Sequence, residues 1–396
     1  MKKRSESRGN NESGPRVLYF ASTFDSGLSF YFTRLALAMH DVLPELIVIT
    51  GSRQQENNLT DVLRKEKIKI YVNDIVDKPS LPNMVQGISF FNKLLKKENI
   101  NVVHVQTVYA LIMVYFSSIF IAKRNRIKII ITIHSTLHGT PFEKIGLIAG
   151  SFFYNIFADL IIPVCEDAGK KILKHGFNLK KMVVIHNGID LKFFDMVSED
   201  NHLVSIPDSL KYRSKINVSY FANFFERKGH KYLVKAISTI IKKGYNVNLI
   251  LSSGGPIKNE LIELVKKLNI EKNVYFIGRV SYEDLYRILN ITDIFAFPSL
   301  SELFPFAILE AMAGAKPIIT SNVGGINEAI IDGESGILIP CGSQKILSET
   351  LIETINNPEK ALVIGINARK RVEKYFEINI IAQKLVNCYK KILLKK

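Results

Sequence analysis

The sequence predicts an α/β protein built on two doubly wound parallel sheets, and three observations carry that expectation. The chain has 396 residues, beyond the ~250–300 at which a single hydrophobic core stops growing. Short runs rich in Val and Ile alternate with amphipathic helical stretches. The same alternation starts a second time after a polar, irregular stretch from Phe194 to Lys215.

Taken in order, RVLYFAS, ELIVITG, KIKIYVND, VVHVQT, KIIITIH, DLIIPV and MVVIHNG read as strands of the first half. SFYFTRLALAMHD, MVQGISFFNKLLKKEN and EDAGKKILKHG read as helices between several of them. Near-continuous apolar strands separated by helices belong to parallel sheets covered on both faces. KINVSYFAN, NVNLILSSGG, NVYFIG, DIFAFPS, KPIITSN and SGILIP repeat the pattern in the second half. Beyond about Pro340 only helical patterns follow. The expected organisation is a disordered tail over 1–15, one Rossmann-like domain over 16–200 and a second over 201–375. A C-terminal helix over 376–396 could pack back on the first domain.

Composition narrows the class. With 47% apolar and 23% charged residues the chain can bury a large core, so global disorder is excluded. Cys165, Cys341 and Cys388 lie far apart with no CxxC pair, which excludes a disulfide framework or thiolate zinc site and suits a reducing cytosol. Lys and Arg outnumber Asp and Glu 53 to 37, a net charge of +16. That balance suits phosphorylated ligands, acidic lipid surfaces or nucleic acid; a lysine-rich genome gives the same excess. No nucleic-acid recognition motif is present. The start, MKKRSESRGNNESG, lacks the apolar segment of a signal peptide. The longest apolar stretch, Ala110 to Ala122, has 13 residues, short of the roughly 20 that span a bilayer. A cytoplasmic protein is expected, with the inner membrane face as a candidate peripheral surface.

The chemistry should lie in loops at the carboxyl ends of the strands, where helix N-termini also point. No G-x-G-x-x-G, no G-K-[ST] P-loop, no H-E-x-x-H and no D-x-D pair occurs. The segment PSLSELFPFAILEAMAGAKPIITSNVGGINEAI places Glu302 and Glu310 eight positions apart across a loop-to-helix transition. Pro305 suits a helix start. Amides around Leu303, Phe304 and Phe306 could then hold a diphosphate, with the two carboxylates accepting from sugar hydroxyls. The same pair reads equally as a capping acid and a solvated one. In YFANFFERKGHKYLVKAI, Asn223 ends a strand and Lys228-Gly229 precedes a helix; a lysine there can neutralise phosphate oxygens or be merely solvated. Gly27, after RVLYFAS, could admit close backbone approach to a ligand or serve as an ordinary turn. His134 ends strand KIIITIH at the ligand-binding edge, and His186-Asn187-Gly188 reads as a turn near the hinge.

These residues resemble the retaining glycosyltransferases of family 4, which adopt the GT-B fold of two Rossmann-like domains facing across a cleft. The family signature ADIFVLPSxxEGFxxxxLEAMAxGxPVIxxxxGGxxE is matched by TDIFAFPSLSELFPFAILEAMAGAKPIITSNVGGINE almost throughout. The resemblance runs from about residue 16 to the C-terminus. It implies that Glu302 and Glu310 form the E-x₇-E motif, by the donor sugar and the ribose respectively. It implies further that Lys228 neutralises the donor diphosphate, that His134 approaches the donor sugar, and that Arg279-Val280 cradle the nucleobase. Gly27 occupies the family's N-terminal glycine loop. The chain departs from the family at Ala222-Asn223, where Gly-Arg is common, at Leu303, where glycine is common, and in having one N-terminal loop glycine where two are usual.

The expected activity is transfer of a sugar from a nucleotide diphosphate donor to a hydroxyl of a glycan or lipid-linked glycan, with retention and without a metal or other cofactor. The segments 110–122, 123–128 and 146–157 combine apolar and basic residues that suit an anionic membrane surface or a buried helical layer. A nucleotide-sugar epimerase of the same fold and a catalytically silent donor-binding subunit are the alternative readings.

Overall fold

The computed structural model describes residues 14–21, 26–52, 59–76, 80–119, 121, 127–134, 150–198 and 215–394. Twelve strands form two six-stranded sheets among the described residues. The first contains β1 (Val17–Phe20), β2 (Leu46–Thr50), β3 (Lys69–Val72), β4 (Val102–Val105), β5 (Lys128–Ile133) and β6 (Leu160–Pro163), in the order β3-β2-β1-β4-β5-β6. The second contains β7 (Ile216–Phe221), β8 (Val247–Ser252), β9 (Val274–Gly278), β10 (Ile294–Phe297), β11 (Ile318–Ser321) and β12 (Ile337–Ile339), in the order β12-β11-β10-β7-β8-β9. The registered pairs are parallel in both sheets.

Burial follows strand position. The inner strands β1, β2, β4, β8, β10 and β11 are buried along their whole length, whereas the edge strands β3, β9 and β12 are partly exposed. This is why the inner strands read as unbroken apolar runs. β6 is an edge strand yet fully buried. The amides of Val183 and Ile185 hydrogen-bond to the carbonyls of Ile161 and Pro163 at 3.1 and 3.2 Å and cover it. MVVIHNG therefore lies along the edge of β6 with only an isolated bridge, Ile161 to Met182, and is not the strand its composition suggests.

The chain divides into two compact units. The first holds Met1–Ile131, Ile156–Leu160 and Gln383–Lys396; the second holds Thr132–Asn155 and Ile161–Ala382. By contacts, residues after Ile161 are bound into the second unit. Ile189 exchanges backbone hydrogen bonds with Phe376 and Ile378 at 2.9 Å each. Asp195 receives both terminal nitrogens of Arg369 at 2.7 Å. Asp195 belongs to a helix, Leu191–Ser198, where the sequence suggested irregular chain. In the first unit, Tyr389 of the C-terminal helix Ile378–Leu394 is fully buried, its hydroxyl 2.7 Å from His104 Nδ1. The proposed tail over 1–15 lies outside the described residues apart from Gly14 and Pro15, as does most of the basic segment 123–128.

Asn187-Gly188 is not a left-handed turn. A Cβ on Gly188 would press on Ile381 and the carbonyl of Phe376, so glycine is needed for packing. At two other glycines both backbone and space are demanding. Gly229 has φ +71° and an added Cβ would overlap the carbonyl of Pro298; Gly324 has φ +57° and would overlap that of Glu302. Gly244, at φ +90°, faces open space. Left-handed backbone costs an L-residue about 1–2 kcal/mol, and overpacking adds about 1–3 kcal/mol. Chemical denaturation should therefore show Gly229→Ala and Gly324→Ala losing about 2–4 kcal/mol, and Gly244→Ala about 1 kcal/mol.

Candidate functional site

In the second sheet β7 and β10 lie side by side, with β8 and β9 extending one way and β11 and β12 the other. This is a topological switch point, the place on a parallel sheet where adjacent loops diverge and admit a ligand. β7 and β10 run in the same direction, so the loops that follow them leave the same edge. Lys228 lies on the first loop and Glu302 on the second.

The two side chains meet: Lys228 Nζ is 2.5 Å from Glu302 Oε1, with the side chains 14% and 7% exposed. Removing such a pair from water is tolerable only if its remaining hydrogen-bond demands are met. Ser299, fully buried, donates its hydroxyl to the same Oε1 at 2.6 Å. The ammonium also lies 5.9 Å from the centre of the Phe297 ring, within cation–π range. Tyr220 at the end of β7 donates its phenol to the carbonyl of Lys228 at 2.6 Å. Burial, and then the charge of Glu302, push the Tyr220 pKa well above its ordinary value, so the phenol keeps the proton it donates.

Glycine brings the two loops this close. Leu300 N donates to Arg227 O at 2.7 Å, and Gly229 lies against Pro298 with no room for a side chain. Gly324 touches the Glu302 carbonyl in the same way, while Gly325 N donates to Leu303 O at 2.8 Å. The loops after β7, β10 and β11 are thus tied backbone to backbone around Glu302.

Asn223 extends this framework to the other side. Ser253 donates its hydroxyl to Asn223 Oδ1 at 2.7 Å and its amide to the Gly278 carbonyl at 2.7 Å. This links the ends of β7, β8 and β9. Arg279 and Val280 follow Gly278 directly; Arg279 is exposed, and Val280 is half-buried against the core.

The helix after β10 spans Phe306–Ala313, and the residue before it, Pro305, makes no side-chain cap. Pro305 sits just before the first helical residue rather than within the helix. Leu303 adopts no left-handed backbone and packs against the core, so the loop does not require glycine there. The Phe304 side chain is buried. Its ring meets His186 and Phe376 at centroid distances of 4.7 and 5.3 Å, and its carbonyl accepts from Asn187 Nδ2 at 2.8 Å.

Glu310 is the fifth residue of this helix and 7% exposed. Among the described residues no hydrogen bond or ion pair reaches its carboxylate. Burial raises its pKa to about 7. A largely buried carboxyl whose pKa burial raises toward neutrality belongs to the class of groups that cluster at functional sites.

The structure does not join every candidate to this group. His134 follows β5 directly and is half-buried; burial lowers its pKa to about 3, leaving a neutral ring. Gly27 lies in the first turn of the helix Ser26–Val42, and the loop before it is outside the described residues. Among the described residues no three His, Cys, Asp or Glu side chains gather so as to hold a metal.

Several participants escaped the sequence reading. Ser299 and Tyr220 were legible only as strand-end residues. Glu328, the last residue of the signature, accepts from the amides of Glu166 and Asp167 at 2.8 and 3.1 Å, and from His186 Nε2 at 2.9 Å. Burial works to raise its pKa, but the His186 and amide hydrogen bonds outweigh it and the net shift is downward. It caps the helix Glu166–Leu173 from 162 residues away.

Comparison with known proteins agrees with this geometry. A model of Glycosyltransferase Family 4 matches residues 26–193, and one of glycosyl transferases group 1 matches residues 205–371. The capsular polysaccharide biosynthesis glycosyltransferase CapM of Staphylococcus aureus is 29% identical over 59% of this chain and 62% of its own length. The N-acetyl-alpha-D-glucosaminyl L-malate synthase of Bacillus anthracis is 26% identical over 76% of each chain. The chain spans just under two thirds of the length of the first curated relatives it matches. Among solved structures, a glycosyltransferase from Rickettsia africae superposes with a TM-score of 0.77 at 20% identity, over 97% of this chain and 100% of the other. HepE of Anabaena, solved in complex with UDP, gives 0.76 at 20% identity over 95% and 100%. These structures share the two-domain GT-B fold. With both family models matched in order and the signature folded around the switch point of the second sheet, the chain belongs to the family 4 type of glycosyltransferases.

Proposed function

We propose that the protein is a retaining, metal-independent glycosyltransferase that moves a sugar from a nucleotide diphosphate donor to a hydroxyl of a glycan or lipid-linked glycan. The observation that carries this reading is the Lys228–Glu302 pair at the switch point. An ammonium there is placed for the donor's diphosphate, and the start of helix Phe306–Ala313 adds the positive end of a helix dipole. HepE, which shares the fold, was solved with UDP and with UDP-glucose, which supports a nucleotide sugar as donor. CapM, named for capsular polysaccharide synthesis, supports a cell-surface glycan as product.

The chemistry follows from charge. Cleaving the anomeric C–O bond puts negative charge on the departing diphosphate, and stabilising that charge lowers the barrier. Lys228 supplies the charge and exchanges its contact with Glu302 for one with phosphate oxygens. Glu302, freed from the ammonium and held by Ser299, accepts hydrogen bonds from the sugar and stabilises positive charge at the anomeric carbon. The acceptor oxygen attacks the face that the diphosphate leaves, and a phosphate oxygen takes its proton, so the configuration is retained. Glu310 accepts from the ribose hydroxyls, Asn223 reaches the phosphates in place of the family's usual arginine, and Arg279-Val280 flank the base.

Lys228→Ala and Glu302→Ala should each lower kcat by at least about a hundredfold, the scale of a lost transition-state charge partner, while circular dichroism reports an intact fold. Wild-type turnover in both would overturn the assignment. Each single change also strands a largely buried charge, at a cost of about 3 kcal/mol. The double variant should unfold at higher denaturant than either single one.

Glu310 gives the reading a proton signature. Ribose hydroxyls donate to the ionised carboxylate and favour that form, so donor binding should release a proton near pH 7. Donor affinity should then fall by up to about tenfold per pH unit below that pKa. Calorimetry in two buffers of different ionisation enthalpy measures the released proton, and Glu310→Gln should abolish it. Stability shifts the opposite way. The folded pKa of about 7 lies above the ordinary 4.5, so this residue's contribution is largest below pH 4.5 and is lost as pH rises toward 7. Thermal melts of Glu310→Gln should lack that decline.

A further inference from the structure

The helix that includes residues 150–157 has an unusual exterior. Ser151, Phe157 and Ala158 face inward and are buried, and the outward positions are Phe152, Phe153 and Ile156, which are 62%, 37% and 45% exposed. Spacing of three and four residues puts them on one face. An outward helix face normally carries charged or polar side chains; this one carries two phenylalanines and an isoleucine.

Asn155 fixes what lies beside this helix. Its Nδ2 donates to Gly176 O at 2.8 Å, its Oδ1 accepts from Asn178 N at 2.9 Å, and its carbonyl accepts from Lys181 Nζ at 2.6 Å. Tyr154 meets the Phe177 ring at 5.1 Å. The segment docked by these contacts reads KKILKHGFNLKK over 170–181, with five lysines and no acidic residue. Lys174 and Lys180 are exposed and make no ion pair among the described residues, and Leu179 is 66% exposed between Asn178 and Lys180.

We infer that Phe152 and Phe153 of this helix, with Leu179, Lys174 and Lys180 of the segment docked beside it, dock on an anionic lipid bilayer. Apolar side chains can enter the acyl boundary while lysines reach the headgroup phosphates, the combination that holds a peripheral protein in a membrane interface. The lysines decide between a bilayer and a protein partner, because lysine is depleted where proteins bury one another and is drawn to anionic headgroups. The inference deepens the proposed reading by giving a lipid-linked acceptor a surface to be met on.

Vesicle sedimentation tests it, read without donor or acceptor so that its failure leaves the transferase reading standing. The full chain should pellet with mixed phosphatidylcholine–phosphatidylglycerol vesicles and stay in solution with pure phosphatidylcholine, and high salt should weaken binding. Phe152→Ser with Phe153→Ser, and separately Lys174→Glu with Lys180→Glu, should each reduce binding about tenfold or more. Melting temperature and turnover on a soluble acceptor should stay unchanged, because all four side chains are outside the donor site. If the phenylalanine variant fails to fold, the lysine variant decides alone. The inference is overturned if wild type ignores anionic vesicles, if the folded variants pellet like wild type, or if the phenylalanine changes instead dissolve a dimer seen by light scattering.

Discussion

Everything at the candidate site depends on β7 and β10 being parallel neighbours. They are separated in sequence by two other strands, and only the outward winding of the sheet from this pair makes their loops adjacent. Gly229 lets the first loop rest directly on the carbonyl of Pro298, and Gly324, after β11, rests in the same way on that of Glu302. The ion pair is therefore a product of topology first and of side-chain chemistry second. Its members are 74 residues apart in the chain.

Around the pair, polar groups are assigned in a way that leaves little slack. Ser299 and Lys228 share one oxygen of Glu302, Tyr220 holds the Lys228 carbonyl, and Ser253 holds Asn223. Against this background Glu310 is conspicuous, because it is buried without a partner among the described residues. A protein tolerates such a group where a ligand will later supply what the fold withholds. Preorganised partners on one side and an unmet demand on the other are consistent with a site that waits for a polar, hydroxyl-bearing ligand.

Much of the architecture is legible from the sequence because burial on both faces imposes unbroken apolar strands, and twelve of the thirteen strand segments read that way are strands. The exception, MVVIHNG, is apolar for a different reason, since it covers the open edge of β6. Contacts such as Arg369–Asp195 and Ile189–Phe376 are not legible, because they join residues far apart in sequence. At the site, Lys228 and Glu302 stand out as charged residues in the segments that follow strands, and Glu310 as an acid in the helix after the second of them. Ser299 and Tyr220 do not, since a serine or tyrosine acquires meaning there only once the order of strands is known. Leu303 looks like a departure in sequence alone; in the fold its backbone makes no demand that glycine would meet.

The carboxylate of Glu328 plugs the start of the helix Glu166–Leu173, so that helix end already holds an anion of the protein's own making. At the start of Phe306–Ala313 the preceding residue, Pro305, offers no side-chain cap of its own. At Glu166 a dipole that would otherwise attract dissolved phosphates is permanently saturated from within. The closing of that helix end to outside anions is in this way written into the chain by a single distant glutamate.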